Sequence, residues 1–350
     1  MVGRKRKSRK KKKSAAARFL LAAFLLVLVA AGAAAGAAAW LALSPFGPSA
    51  ETFVEVPPGS SSARIGQQLE AAGVLRSRYE FDLIRLWKHG TLRAGEYRFD
   101  HPTPAAEVYA RIARGDVFTI SVTIPEGANL FDVAARLEQA GFGPRKDFLD
   151  AATQQTGMVA DLDPGARSLE GYLFPDTYHL ARKATPAQIC ATMVRRFRTV
   201  AGQLGLKQDV RKVVTMASLV ERETAVDAER PLVASVCQNR LAKGMPLMTD
   251  PAVIYGLERE GRWRGTIFQS DLTRDTAYNT YLHTGLPPGP IANPGARSLR
   301  AAMEPAQTDY LYFVAAGANP QGHSLFSRTL DEQNRNVSGY RHAVKQAGGR

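Results

Sequence analysis

The sequence predicts an α+β protein carried on a single N-terminal membrane-spanning helix, and three observations lead there. Phe19 to Leu43, "FLLAAFLLVLVAAGAAAGAAAWLAL", holds no charged residue. A strand-turn-helix pattern occurs twice between residues 51 and 155. From residue 156 to 345, long apolar-striped helices alternate with short aromatic strands and Pro/Gly loops.

At about 1.5 Å per residue, the uncharged run exceeds the roughly 30 Å of a bilayer core, so one tilted helix can cross it. Ten Lys and Arg residues lie in the preceding tail, residues 1–18, with no acid among them. That asymmetry predicts a cytoplasmic N-terminus and an extracytoplasmic remainder, with Trp40 near the outer interface. A cleaved signal peptide is the competing reading, because Phe19 to Val29 resembles an apolar signal core and the alanines after it offer cleavage sites. Removing the ten basic residues from the formal +14 leaves +4, which argues against a nucleic-acid partner. The tail's charge suits anionic lipid.

Residues 44–50, "SPFGPSA", read as a linker. After it, "VEVPPGSSSARIGQQLEAAGV" (54–74) aligns with "VTIPEGANLFDVAARLEQAGF" (122–142), matching Pro57 with Pro125, Gly59 with Gly127, Leu69 with Leu137 and Gly73 with Gly141. Each copy predicts a strand, a turn, a helix and a glycine able to take the left-handed cap. Another strand, turn and helix lie between them, so 51–155 reads as a small α+β unit or pair of units. Farther on, "LEGYLFPDTYHL" (169–180) suits a strand and turn. Helices are expected over 185–204, 209–224 and 231–243, loops from 249 to 295, a short helix at 298–303 and a strand at 310–316.

Cys190 and Cys237 are too few for a disulfide framework and read as small buried apolar residues. No GxGxxG, GxxxxGK, HExxH or GxSxG is present, and the histidines are scattered, so neither a cofactor nor a metal is expected. Carboxylates remain. In "ASLVERETAVDAER" (217–230), helical spacing puts Glu221 within about 40° of Val210, Val214 and Ala217, whereas Glu223 lies about 200° round the helix, beside Met216, Leu219 and Lys212. Two carboxyls on opposite faces cannot flank one glycosidic bond. Glu221, emerging from an apolar stripe, is expected in a low-polarity pocket that raises its pKa into the range of a general acid. A buried ion pair with Arg222, Arg230 or Arg240 fits the same spacing, and Glu223 reads as a structural partner of a nearby arginine or amide. Downstream, "TDPAVIYG", "AYNTY" and "GLPPGPIANPG" gather the tyrosines, amides and rigid turns that line a polysaccharide groove.

These stretches, together with "ASLVERETA", "NRLAKGMPLMTDPAVIYGL", "YLYFVA" and "LEGYLFPDTY", closely resemble the endolytic murein transglycosylase, or YceG-like, family over residues 156–340. The resemblance implies a LysM-like α+β region at 51–155, a catalytic domain at 156–345 and an inner-membrane lyase. Such an enzyme cuts peptidoglycan strands between N-acetylmuramic acid and N-acetylglucosamine, leaving 1,6-anhydro ends. It implies Glu221, the first glutamate of "VERET", as catalytic residue. Substrate contacts would come from Glu223, Asn239, Thr249, Asp250, Tyr255, Tyr278, Asn279, Pro287 and Pro288, with peptidoglycan synthases as partners. Cys237 in "CQNR" departs from the apolar residue expected there. Two alternatives stand: a non-catalytic peptidoglycan-binding scaffold, and a hydrolase using Glu221 with Asp250.

Overall fold

The computed structural model describes residues 5–318 and 322–348. The first four residues of the basic tail lie outside the described residues. The chain divides into two compact units between Thr119 and Ile120.

The first unit opens with α1 (Lys5–Leu43), which begins within the basic tail and contains the apolar stretch Ala17–Leu43, of mean hydropathy 2.5. Among the described residues it is the one helix long and apolar enough to cross a membrane. There follow β1 (Pro45–Phe46), β2 (Thr52–Val56), α2 (Ser62–Ala71), α3 (Arg78–Trp87), β3 (Gly95–Phe99), β4 (Thr103–Pro104) and α4 (Ala105–Arg114). Antiparallel pairing of β2 with β3 sets Val54 opposite Tyr97. Alternation along these strands turns Val54, Val56, Tyr97 and Phe99 inward against Ile65, Leu69, Phe81, Val108 and Ile112, which form the core.

The second unit repeats that plan before extending it. Here β5 (Ile120–Thr123), α5 (Leu130–Gln139), α6 (Arg145–Gln154) and β6 (Thr177–Leu180) again run strand-helix-helix-strand, and β5 pairs antiparallel with β6. The repeat is visible in the backbone: Gly59 and Gly127 have φ of 76° and 78°, and Gly73 and Gly141 have 69° and 86°. The second copy lies in the second unit because Val122 and Ile124 share a core with Tyr178, Leu180 and Phe197. The boundary between the two compact units falls inside the α+β region read over 51–155.

Next come α7 (Pro186–Leu204), α8 (Val210–Glu223), α9 (Arg230–Ala242), α10 (Asp250–Arg259), the short α11 (Gln269–Leu272), α12 (Ala296–Met303), β7 (Tyr312–Ala315), β8 (Ser324–Ser327) and α13 (Leu330–Gly348). The start of α7 carries both halves of a capping box, Thr185 and Gln188, and Gly205 ends it at φ 73°. Residues 249–295 do not form the continuous loop expected from their prolines and glycines. Pro251 sits in the first turn of α10, where its missing N–H costs nothing, and Ala252, Val253, Tyr255 and Leu257 are buried.

Helix α8 is the axis of this unit. Val210, Val214 and Ala217 enter one core, with Val133, Leu173 and Phe197. Met216, Leu219 and Val220 enter a second, with Val233, Cys237, Tyr255 and Tyr278. Gly171, at φ 86°, is pressed against this assembly: a Cβ there would come within 2.6 Å of Pro290 and 2.7 Å of Val214. Gly171→Ala is expected to cost about 3 kcal/mol in chemical denaturation, through backbone strain and crowding together.

Candidate active site

Burying α8 between two cores leaves its last turn to present side chains on both sides, and Glu221 and Glu223 do face different surroundings. Glu221 has a side chain only 5% exposed, paired with Arg230, itself 6% exposed. The Arg230 Nη1 group donates to Glu221 Oε1 at 2.7 Å, and the Gly295 backbone N–H, just before α12, donates to Oε2 at 2.9 Å. Arg230 also donates to Ser298 Oγ on α12 and, through Nε, to Asp227 Oδ1 at 3.2 Å. Nearby, Glu126 fills the space above Gly295, where a Cβ would lie 1.9 Å from Glu126 Oε1. Partial burial, then the neighbouring charge of Glu221, raises the Glu126 carboxyl. The low-polarity pocket expected round Glu221 is thus replaced by a cationic and amide cradle. Of the three arginines within reach in sequence, Arg230 is the one that closes on it.

Glu223 is half-buried, and among the described residues no hydrogen bond or ion pair holds its carboxyl. Burial first, then the charge of Asp250, pushes it up to about 7, opposed by Arg240 and Arg222. Asp250 is exposed at the start of α10 and accepts a 2.6 Å hydrogen bond from the Tyr281 hydroxyl. Below, burial and then the charge of Glu223 push the Cys237 thiol up to about 12, so it is an inert floor. Arg240 is fixed by donating to the carbonyls of Leu311 and Leu247, each at 2.7 Å. A carboxyl near 7, unbonded and reachable from solvent, is ready both to give and to take a proton at neutral pH.

The loops around this point are stapled by residues that the sequence offered as substrate contacts. Thr249 is buried and bonds to Thr280. The buried Asn279 amide donates to the carbonyls of Leu272 and Arg274. Asn239 donates to the carbonyls of Thr308 and Tyr310. Tyr255 and Tyr278 are buried edge to face, with ring centroids 5.0 Å apart. These five side chains hold loops and core. Tyr255 further braces Glu170, whose carboxyl accepts from the Leu130 N–H at 2.9 Å and the Asn293 amide at 3.1 Å, while full burial raises it to about 8.

Pro287 lines a cavity of about 460 Å³ with Leu162, Asp209, Lys212 and Leu286. An adjoining cavity of about 630 Å³ shares Asp209, Lys212 and Leu286 and continues along Met216, Gln238 and Met303. Pro288 accepts from Arg211 through its carbonyl. Tyr281, missed in the sequence, stands beside Asp250 on the Glu223 side, and Met248, whose N–H donates to the Thr280 carbonyl at 3.0 Å, is exposed, as is Leu282. Met248 takes φ 53°, a left-handed conformation rare for a non-glycine residue and often found at working sites. Nothing in its sequence context signals that strain. Among the described residues no group of three or more His, Cys, Asp or Glu side chains is placed to hold a metal.

Comparison with known proteins agrees with this architecture. The YceG-like family model matches residues 54–339. An endolytic murein transglycosylase of Bacillus subtilis is 34% identical over 307 residues, covering 81% of this chain and 82% of that one. Another, from Streptococcus pneumoniae, is 28% identical over 338 residues, and the match spans 85% of this chain but 60% of the longer pneumococcal protein. The crystal structure of a yceG-like protein from Listeria monocytogenes superposes with a TM-score of 0.53 at 32% identity, covering 82% of this chain and 99% of that one. With a motif-bearing helix held between two cores and matches that run through both units, the chain belongs to the YceG-like family.

Proposed function

We propose that this chain is an endolytic murein transglycosylase that cuts peptidoglycan glycan strands, with Glu223 as its acid and base and Glu221 as the residue that positions it. The contrast between the two glutamates carries the assignment: Glu221 has both oxygens bonded, whereas among the described residues Glu223 has neither and lies near 7. This moves the catalytic role from the first to the second glutamate of "VERET".

The chemistry requires one carboxyl. Protonated Glu223 gives its proton to the glycosidic oxygen as the C1–O bond breaks. The resulting carboxylate takes the proton of the muramyl C6 hydroxyl, whose oxygen closes on C1 to give the 1,6-anhydro ring. The substrate supplies its own nucleophile, so Asp250 need not attack. Its negative charge, held by Tyr281, offsets the positive charge that develops on the sugar ring. Replacing it has a signed consequence. In Asp250→Asn the second cause of the raised Glu223 carboxyl is gone, so the basic limb of the rate profile is expected to move down by about one pH unit. An unmoved limb would detach Asp250 from the acid.

The apolar stretch of α1 supports a single-span anchor in the cytoplasmic membrane, and the lysines and arginines before it support a cytoplasmic N-terminus. An anchored strand cutter meets glycan where it is made, which makes peptidoglycan synthases its expected neighbours. The strand-helix-helix-strand module of the first unit supports a LysM-like role in holding the wall. Digestion of peptidoglycan by the purified full chain tests the function: anhydromuramyl ends are expected. Reducing ends would indicate hydrolysis, and the absence of cleavage would indicate a scaffold.

A further inference from the structure

Four large apolar side chains on α3 are exposed, and of these Tyr79 is touched by Arg78, which stacks 4.9 Å from its ring centroid and donates to its hydroxyl at 3.1 Å. Tyr79, Leu83, Leu86 and Trp87 are all exposed, Leu86 by 70% and Trp87 by 89%. At 100° per residue they fall within an arc of about 100°, while Phe81 and Ile84, on the far side of the same helix, fill the core of the first unit. Helix α3 therefore has two apolar faces, one used and one bare. Scattered exposed apolar residues are ordinary, but four on one helical face, two of them aromatic, need a cover.

Location identifies the cover. The stretch just before α3 is clamped to the end of α1: the Arg76 guanidinium stacks 5.3 Å from the Trp40 ring centroid and 4.8 Å from that of Phe46. It also donates to the carbonyls of Ser44 at 3.4 Å and Pro45 at 3.2 Å. Helix α3 packs against α1 itself, and Ala42 of α1 lies against the same core. With ten residues at about 1.5 Å each, no part of the bare face lies farther than about 15 Å along the helix from this clamp. Its composition suits the headgroup layer. Tyr79 and Trp87 combine an apolar body with a polar tip, as residues of the interfacial layer do.

We propose that Tyr79, Leu83, Leu86 and Trp87 dock α3 into the interfacial layer of the lipid bilayer that α1 crosses, holding the first unit flat against the membrane surface. The proposal rests on the reading of α1 as a span. A lipid surface is favoured over a second copy of the chain because the face adjoins the exit of the apolar stretch.

The full chain reconstituted in phosphatidylethanolamine and phosphatidylglycerol vesicles separates these ideas. Cys190 and Cys237 are buried, so an environment-sensitive dye can be placed at Lys88→Cys or, as a control for the span, at Val27→Cys. Dye at position 88 is expected to emit to the blue and lose about half its intensity to a quencher carried at headgroup depth, and adding Trp87→Ser should abolish both effects. Dye at position 27 should respond instead to a quencher at the bilayer centre. Water-like emission at 88 with quenching at 27 would overturn the docking and leave the anchor standing. Silence at both positions would overturn both. A blue shift at 88 that fades as the chain is diluted in lipid would assign the face to a second copy, and would equally overturn the proposal.

Discussion

Glu223→Gln is expected to lower the rate of glycan cleavage by about 10³-fold while leaving the fold intact. The amide keeps the size of the side chain but can neither deliver a proton to the leaving oxygen nor accept one from the C6 hydroxyl. Stability should hardly fall, because among the described residues the Glu223 carboxyl has no hydrogen bond or ion pair to lose, and a neutral group suits its buried setting. Unchanged melting alongside lost turnover is the signature of a group that acts on substrate rather than on the protein. A variant that kept more than about a tenth of the wild-type rate would remove Glu223 from the proton-transfer role.

The opposite pattern is expected of Glu221→Ala. Removing this carboxylate takes from the almost fully buried Arg230 its nearest counter-charge, leaving it the more distant Asp227, and leaves the Gly295 N–H without its acceptor. Breaking a buried pair by deleting one partner costs about 3–5 kcal/mol. In a unit of this size that corresponds to a fall in melting temperature of about 10 °C. The loss should appear as early unfolding of the second unit, since α8, α9 and α12 meet at this carboxylate. Cleavage would fall too, through the folded fraction and the placement of α8. A melting curve that matched the wild type would contradict the structural role given to Glu221.

Much of the fold was legible because it depends on local rules. The duplicated strand-turn-helix is written in matched glycines that take left-handed angles, and the two faces of α8 follow from a period of 3.6 residues. Where the two copies belong was not legible, since Val122 pairs with Tyr178 across more than fifty residues. Helix α10 was hidden by Pro251 and Gly256. The first is a helix-start residue, and the second is a close approach, where a Cβ would come within 2.9 Å of Thr276 Oγ1.

The same division runs through the site. Spacing placed Glu221 and Glu223 on opposite sides of α8, and that separation is what the structure has. Spacing could not say which of three arginines would close on which glutamate, because Arg230 reaches Glu221 only through the turn between α8 and α9. Polar and aromatic residues gathered in the downstream loops suggested a groove, yet Thr249, Tyr255, Tyr278 and Asn279 are buried and hold the loops in place. A hydroxyl or amide that fixes a turn and one that grips a sugar look alike in sequence, and only burial tells them apart.

The most direct measurement is mass spectrometry of the glycan released by Glu221→Gln and Glu223→Gln, side by side, normalised to folded protein. Anhydromuramyl ends are expected from the folded fraction of Glu221→Gln and none above background from Glu223→Gln. Anhydromuramyl ends from Glu223→Gln, with none from well-folded Glu221→Gln, would contradict the assignment of Glu223 as acid and base.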